Sequence, residues 1–111
     1  MKAIKQIESP CEMPNGLQWT DEGLFVMDQK TDNVYVVDET GRLLRTINTP
    51  TANGSGITVG GGYLWTASNG ESASRPARST DTGLGYVYKL DLQTGAPIEQ
   101  SPYWAPVANF P

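Results

Sequence analysis

Residues 69–85 carry four polar or charged side chains that could bind a ligand. Arg75 and Arg78 lie three positions apart, and each guanidinium can present a planar fork to a carboxylate or another anion. Asn69 and Glu71 add an amide and a carboxylate to the same segment. The remaining Ser, Thr and Pro residues are typical of a surface loop. The segment therefore predicts a ligand-binding loop, and a solvated loop without a ligand is the open alternative.

The chain contains no histidine. This excludes Ser-His-Asp and Cys-His catalysis, histidine-ligated zinc and imidazole acid–base chemistry from the chain by itself. Cys11 is the only cysteine, so an intrachain disulfide is impossible, and the adjacent Glu12 does not favour a thiolate. Catalysis would have to use carboxylates, a metal held by oxygen ligands, or residues of another chain.

Length and charge narrow the function classes further. With 111 residues the chain is long enough for one modest domain. Its net charge of −4 and the lack of a Lys/Arg cluster argue against nucleic acid as a partner. No apolar run has the length of a membrane span, and residues 3–7 do not resemble a signal peptide. These features predict no membrane partner and favour the cytoplasm.

The elements that must position the loop repeat at a spacing of 40 residues. Residues 4–7 return as residues 44–47, Pro10 returns as Pro50, and residues 16–17 return as residues 56–57. The same spacing relates residues 24–25 to residues 64–65. A constant spacing of turn and apolar residues together indicates a duplicated supersecondary unit.

Each unit contains four short stretches that are typical of strands. In the first unit these are residues 16–20, 24–27, 33–38 and 43–47, separated by turns that contain Gly or Asp. Four strands in about 40–45 residues is typical of a β-propeller blade. The aromatic side chains are predicted to fill the space between blades. They are Trp19, Phe25, Tyr35, Trp65 and Tyr88.

The second unit repeats the first with one insertion. Asp38 and Asp91 close equivalent strands at a spacing of 53 instead of 40, so thirteen residues are inserted between the second and third strands. We therefore predict an all-β chain of about two to two and a half propeller blades. The predicted parts are a last strand of a preceding blade (2–9), a blade (16–49), a blade with an inserted loop (56–101, loop 69–85), and a tail or start of a next blade (102–111).

Two or so blades cannot close a ring, because propellers typically have 4–8. The incomplete ring predicts either a fragment of a larger propeller or association with other blades, including self-association. Antiparallel order places the connections 10–15, 29–32, 50–55 and 69–85 at one end of the blades. Only tight turns fall at the other end. Long loops above a rigid scaffold favour a binding surface at the end that carries the loops.

The blade sequence resembles known repeats. Residues 24–28 and 33–38, with Gly41 and Ile47, resemble the repeat of YVTN- and NHL-type β-propellers. Residues 14–19, with Asp28 further on, resemble the gluconolactonase/regucalcin-like (senescence-marker-protein type) superfamily of six-bladed propellers. That resemblance implies that Asn15 is a ligand of a divalent metal such as Ca²⁺ or Zn²⁺. Ser55 stands where the family has an aspartate that is both ligand and base.

Two functional hypotheses follow. The first is a propeller scaffold that binds a small molecule or a protein through its loop-rich face, without enzymatic activity of its own. Its candidate ligand-binding residues are Asn15, Asn69, Glu71, Arg75 and Arg78. The alternative is a metal-dependent lactonase or hydrolase whose site is completed by other blades. Against both stands the simpler interpretation of Asn15 as a turn residue and of Asp28 and Asp38 as carboxylates that cap turns.

Overall fold

Two four-stranded antiparallel sheets account for the chain's secondary structure. The computed structural model describes residue 3, residues 5–68 and residues 85–102, with the side chains of residues 99–102 left out, and no helix occurs among them. Strands in each sheet are ordered as in the sequence. The first sheet contains β1 (Pro14–Trp19), β2 (Leu24–Asp28), β3 (Asn33–Val37) and β4 (Leu43–Asn48). The second contains β5 (Gly54–Gly60), β6 (Tyr63–Ser68), β7 (Tyr86–Asp91) and β8 (Pro97–Pro102).

The predicted all-β class and the two four-strand units are confirmed, and the number of blades stays a prediction. Both first strands begin two residues earlier than predicted, at Pro14 and Gly54, and the pairing of each with the next strand shifts register just after that first residue. Residues 5–9, predicted as the last strand of another blade, contain no strand. Residues 69–84 and 103–111 lie outside the described residues.

A hydrophobic core lies between the two sheets. Alternation along β2 and β3 directs Phe25, Met27, Val34 and Val36 to one face of the first sheet, and all four are fully buried. They pack with residues on the facing side of the second sheet, namely Leu64, Tyr88 and Leu90. Each such side chain stabilises the fold by about 1.5–3 kcal/mol through removal from water. The two sheets therefore depend on each other for stability.

The aromatic residues predicted to be core divide between the two faces. Phe25 and Tyr88 belong to the core cluster. Trp19 does not, since its side chain is 60 % exposed. The prediction for Trp19 is wrong because β1 directs this side chain to the opposite face of the first sheet, which no sheet formed by the described residues covers.

Polar contacts fix the position of one sheet on the other. The Gln18 side chain accepts a hydrogen bond from the Val59 amide (2.7 Å) and donates one to the Val59 carbonyl (3.1 Å). Arg45 donates to the carbonyls of Leu92 (3.1 Å) and Gln93 (3.2 Å). These bonds connect the inner strands β1 and β5, and the outer strand β4 with the β7–β8 turn.

The turns after β3 and β7 are built in the same way. Asp38 accepts hydrogen bonds from the amides of Thr40 (2.9 Å) and Arg42 (3.0 Å), and Asp91 accepts them from Gln93 and Thr94 (2.9 Å each). A turn-capping role for Asp38 is confirmed. The Thr40 hydroxyl lowers the pKa of Asp38, and the Thr94 amide lowers the pKa of Asp91.

Because both folded-state pKa values lie below the ordinary value, these two carboxylates stabilise the fold at neutral pH, and this contribution is lost as the pH falls through the folded values. We expect the free energy of unfolding to decrease as the pH falls from about 4 to about 2. In the double variant Asp38→Asn/Asp91→Asn the decrease should be shallower, as measured by urea unfolding at each pH. An identical slope in both proteins would contradict the assignment.

Gly95 offers a sharp test of the packing between sheets. Its φ is +77°, and a Cβ at this position would overlap the Asn48 carbonyl oxygen and lie 2.7 Å from Ile47 Cγ2. Gly95→Ala should lower the free energy of unfolding by about 2–4 kcal/mol. Gly61→Ala is the matched control, because its φ is +62° and nothing lies within 4 Å. It should lose only about 1 kcal/mol in the same urea experiment.

Candidate functional site

The connections that precede β1, β3 and β5 meet at one end of the sheets. We call residues 10–15, 29–32 and 49–55 the loop end. The Gln29 amide donates to the Met13 carbonyl (3.0 Å), and the Thr49 hydroxyl donates to the Asp32 carbonyl (2.6 Å). Ser68 and Gly85, which flank the inserted segment, belong to the same end by strand direction. The opposite end, the turn end, contains residues 20–23, 38–42, 60–62 and 92–96.

The Asp28 side chain bonds the first loop (10–15) to the second (29–32). Its buried carboxylate accepts hydrogen bonds from the amides of Met13 (3.2 Å) and Lys30 (3.1 Å) and from the Thr31 hydroxyl (2.7 Å). A carboxylate out of contact with water needs such partners to offset its lost solvation. These bonds give Asp28 a structural role as a cap, as its simpler interpretation predicts.

Asp32 connects the second loop to the third. It is buried, has φ of +61°, and accepts a 2.7 Å hydrogen bond from the Gly54 amide at the start of β5. A chain of hydroxyls runs alongside it, because Thr49 contacts Thr51 (2.6 Å) and Thr51 contacts Thr66 (2.8 Å). The third loop is therefore bonded both to the second loop and to strand β6.

The outer rim of the loop end is charged and polar. Glu12 and Lys30 form an ion pair that raises the pKa of Lys30 through the hydrogen bond between them. Since both side chains are well exposed, solvent screens the pair and it contributes little stability. Burial raises the pKa of the Cys11 thiol, so Cys11 is neutral at pH 7 and a poor nucleophile.

Of the five predicted site residues, the structure places one. Asn15 is exposed at the loop end, and its Nδ2 donates a 3.2 Å hydrogen bond to Gln29 Oε1. Asn69, Glu71, Arg75 and Arg78 lie outside the described residues. Within residues 5–68 and 85–102, no three His, Cys, Asp or Glu side chains come close enough to hold a metal ion. The metal role of Asn15 stays a prediction.

Sequence reasoning missed Asp32 and the threonine chain. The four-residue separation of Asp28 and Asp32 at the end of an apolar strand was one signal, since carboxylates there often cap loops. The Thr49-Pro50-Thr51 segment was another. Neither reveals that these groups are buried together, because that depends on where the second sheet lies.

Comparison with protein-family models finds no family that matches this chain, and comparison with curated proteins finds no significant match. In the described part of the chain, no helix is long and apolar enough to cross a membrane.

Removal of the Asp32 carboxylate tests whether it orders the loop end. Asp32→Ala leaves the buried Gly54 amide without its acceptor and puts alanine at positive φ, so the free energy of unfolding should fall by about 2–4 kcal/mol. Asp32→Asn keeps an acceptor oxygen and a residue that tolerates this φ, so it should lose less than half as much. Urea unfolding measures both values. Equal losses would show that the carboxylate oxygen on Gly54 contributes nothing specific.

Proposed function

We propose that this chain is part of a β-propeller-type scaffold that binds a small anionic molecule, or a carboxylate of a protein partner, through its loop end. The loop end would supply the recognition, and the two sheets would supply the rigid support. The 40-residue repeat supports the propeller interpretation. The packing of the two sheets also supports it, because the face of the first sheet that lies in the core is not equivalent, by the repeat, to the face of the second sheet that covers it.

The observation that carries this proposal is the difference between the two ends of the sheets. The described turns at the turn end are short and are closed by local bonds, such as those of Asp38 and Asp91. At the loop end, three connections are bonded to one another through buried Asp28 and Asp32. Prior ordering of loops lowers the entropy cost of ligand binding. The connections at the loop end are thus ordered before a ligand binds.

The polar residues assigned to the loop end suit an anion. Arg75 and Arg78 would pair with carboxylate oxygens, and Asn15 and Asn69 would donate amide N–H groups. Glu71 would select against ligands with a second negative charge at its position. Asn15 is exposed at the loop end and is hydrogen-bonded to Gln29.

Enzymatic activity is not part of the proposal. A metal-dependent lactonase needs a ligand set around Asn15, and nothing in the described residues favours one. Each carboxylate beneath the loop end, Asp28 and Asp32, is already hydrogen-bonded to backbone amides. The function supported best is therefore recognition without turnover.

Small carboxylates are suitable probes for the proposed site. We expect titration with glucuronate or lactate to shift the amide NMR signals of residues 12–15, 29–32 and 49–55 in the wild-type chain. Arg75→Ala/Arg78→Ala should weaken the affinity at least about tenfold, because each charge-assisted hydrogen bond contributes about 1.5–3 kcal/mol.

Arg42→Ala is the matched control. Arg42 is an exposed arginine at the turn end, where it pairs with Asp38 at 3.5 Å. This variant should bind the probes as the wild type does. Signals that shift mainly at residues 38–42 and 92–96, or an affinity that Arg75→Ala/Arg78→Ala leaves unchanged, would contradict the proposed site.

A further inference from the structure

One face of the first sheet presents apolar side chains to solvent. The pairing of β1 to β4 places two cross-strand rows on this face. One row contains Leu17, Val26, Tyr35 and Thr46, and the other contains Trp19, Leu24, Val37 and Leu43. Leu17, Trp19 and Leu43 are 62 %, 60 % and 51 % exposed, whereas Val26 and Val37 between them are buried. We call the two rows the open face of the first sheet. Large exposed apolar side chains that are contiguous in this way mark interaction surfaces.

The repeat identifies what such a face packs against. At the 40-residue spacing Leu17 corresponds to Ile57, Trp19 to Val59 and Leu24 to Leu64. Those three residues of the second sheet pack in the hydrophobic core against the first sheet. The open face of the first sheet is therefore equivalent to the covered face of the second.

The second sheet shows the converse arrangement. Its face directed away from the first sheet carries Thr58, Trp65, Ala67, Val87 and Lys89, as the pairing of β5 to β7 requires. Trp65 corresponds to buried Phe25, and Val87 corresponds to buried Val34. We call these five residues the open face of the second sheet. Of these five residues Thr58 is exposed and the other four are half-buried. Among the described residues, neither open face is covered by a further sheet, whereas the equivalent faces pack on each other inside the chain.

Residues 5–9 already occupy one part of the open face of the first sheet. A Cβ on Gly41 would contact Ile7 Cβ (3.4 Å) and the Glu8 carbonyl oxygen (3.8 Å). A Cβ on Gly95, in the equivalent turn, would meet Ile47 and Asn48, which correspond to Ile7 and Glu8. Residues 5–9 therefore lie on the first sheet where β4 lies on the second. Beside them an open groove of about 360 Å³ exposes Trp19 and Leu24.

We propose that a second copy of this chain docks head to tail, with the open face of its second sheet on the open face of the first copy's first sheet. The contact repeats the internal packing of β1 and β2 on β5, with β5 and β6 of the incoming copy over β1. Residues 5–9 of the receiving copy occupy the position that β8 of the incoming copy would take, so β8 must move aside when the copies dock. No described side chain of β8 belongs to the core cluster. Such an interface is heterologous, so each copy keeps one face for a further copy.

Light scattering coupled to size exclusion tests the proposal on the full chain, from about 5 to about 500 µM. The monomer mass is 12.0 kDa, and the wild type should rise through multiples of it as the concentration increases. Trp19→Glu, which removes one exposed face, and Thr58→Arg, which blocks the other at an exposed position, should each stay at the monomer mass. Circular dichroism should show that both variants fold.

Mixing these two variants separates this proposal from other modes of association. Trp19→Glu keeps the open face of the second sheet, and Thr58→Arg keeps that of the first, so an equimolar mixture should form a dimer and nothing larger. If two identical faces associated instead, mixing would not restore a dimer. A wild type that stays at 12.0 kDa throughout would overturn the proposal, and so would a mixture that stays monomeric.

Leu44→Ser is the control for loss of an exposed apolar side chain. Leu44 is 40 % exposed and belongs to neither open face. Leu44→Ser should therefore associate as the wild type does. If it abolishes association as fully as Trp19→Glu, nonspecific hydrophobic association explains the result, and the proposed contact is wrong.

Discussion

The structure depends on one constraint: a single four-stranded sheet cannot bury its own side chains. Phe25, Met27 and Val36 leave solvent only because the second sheet covers them, and Leu64 and Leu90 leave solvent only because the first does. The two sheets use non-equivalent faces for this contact. The backbone of β5 therefore has to approach β1 closely, and Gly16 is placed where a Cβ would lie 2.8 Å from the Ser55 carbonyl oxygen. The packing of the core thus also requires glycine at position 16, although Gly16 contributes no side chain to the core.

The polar network at the loop end follows from the same contact. Once β5 is fixed beside β1, the Gly54 amide lies above Asp32 and its hydrogen-bonding group must be satisfied away from water. The Asp32 carboxylate supplies the acceptor, and the hydroxyls of Thr49 and Thr51 bond to each other and to Thr66 beside it. At the turn end, the turns at 20–23, 38–42 and 92–96 each close on their own threonine or aspartate, and Arg45 of the first sheet adds bonds to the turn at 92–96. The aspartate bonds in these turns are local, whereas Asp32 at the loop end bonds a partner in the neighbouring sheet.

Much of the fold was accessible from sequence because it is encoded locally. Alternation and turn residues predicted the four strands of the first sheet to within about two residues, and the 40-residue spacing predicted a second group of four. Trp19 was predicted wrongly because alternation assigns a side chain to a face without saying what covers it. Asp32 was missed for a related reason, since its partner Gly54 is 22 positions away and belongs to the other sheet. The turn-capping role of Asp38 was predictable, because its partners lie within four residues.

The Gln18 side chain also protects an edge. A strand at the border of a sheet exposes N–H and C=O groups that can pair with a foreign strand, which is a common route to aggregation. On β5 the Val59 amide and carbonyl point away from β6, and the Gln18 amide group occupies both. The Gln18 side chain thus takes the hydrogen-bonding place of a neighbouring strand at Val59 and prevents a foreign strand from pairing there. On β1 the position equivalent to Val59 is Trp19. No side chain among the described residues caps its backbone in the same way, so the edges of β1 and β5 differ in their resistance to mispairing.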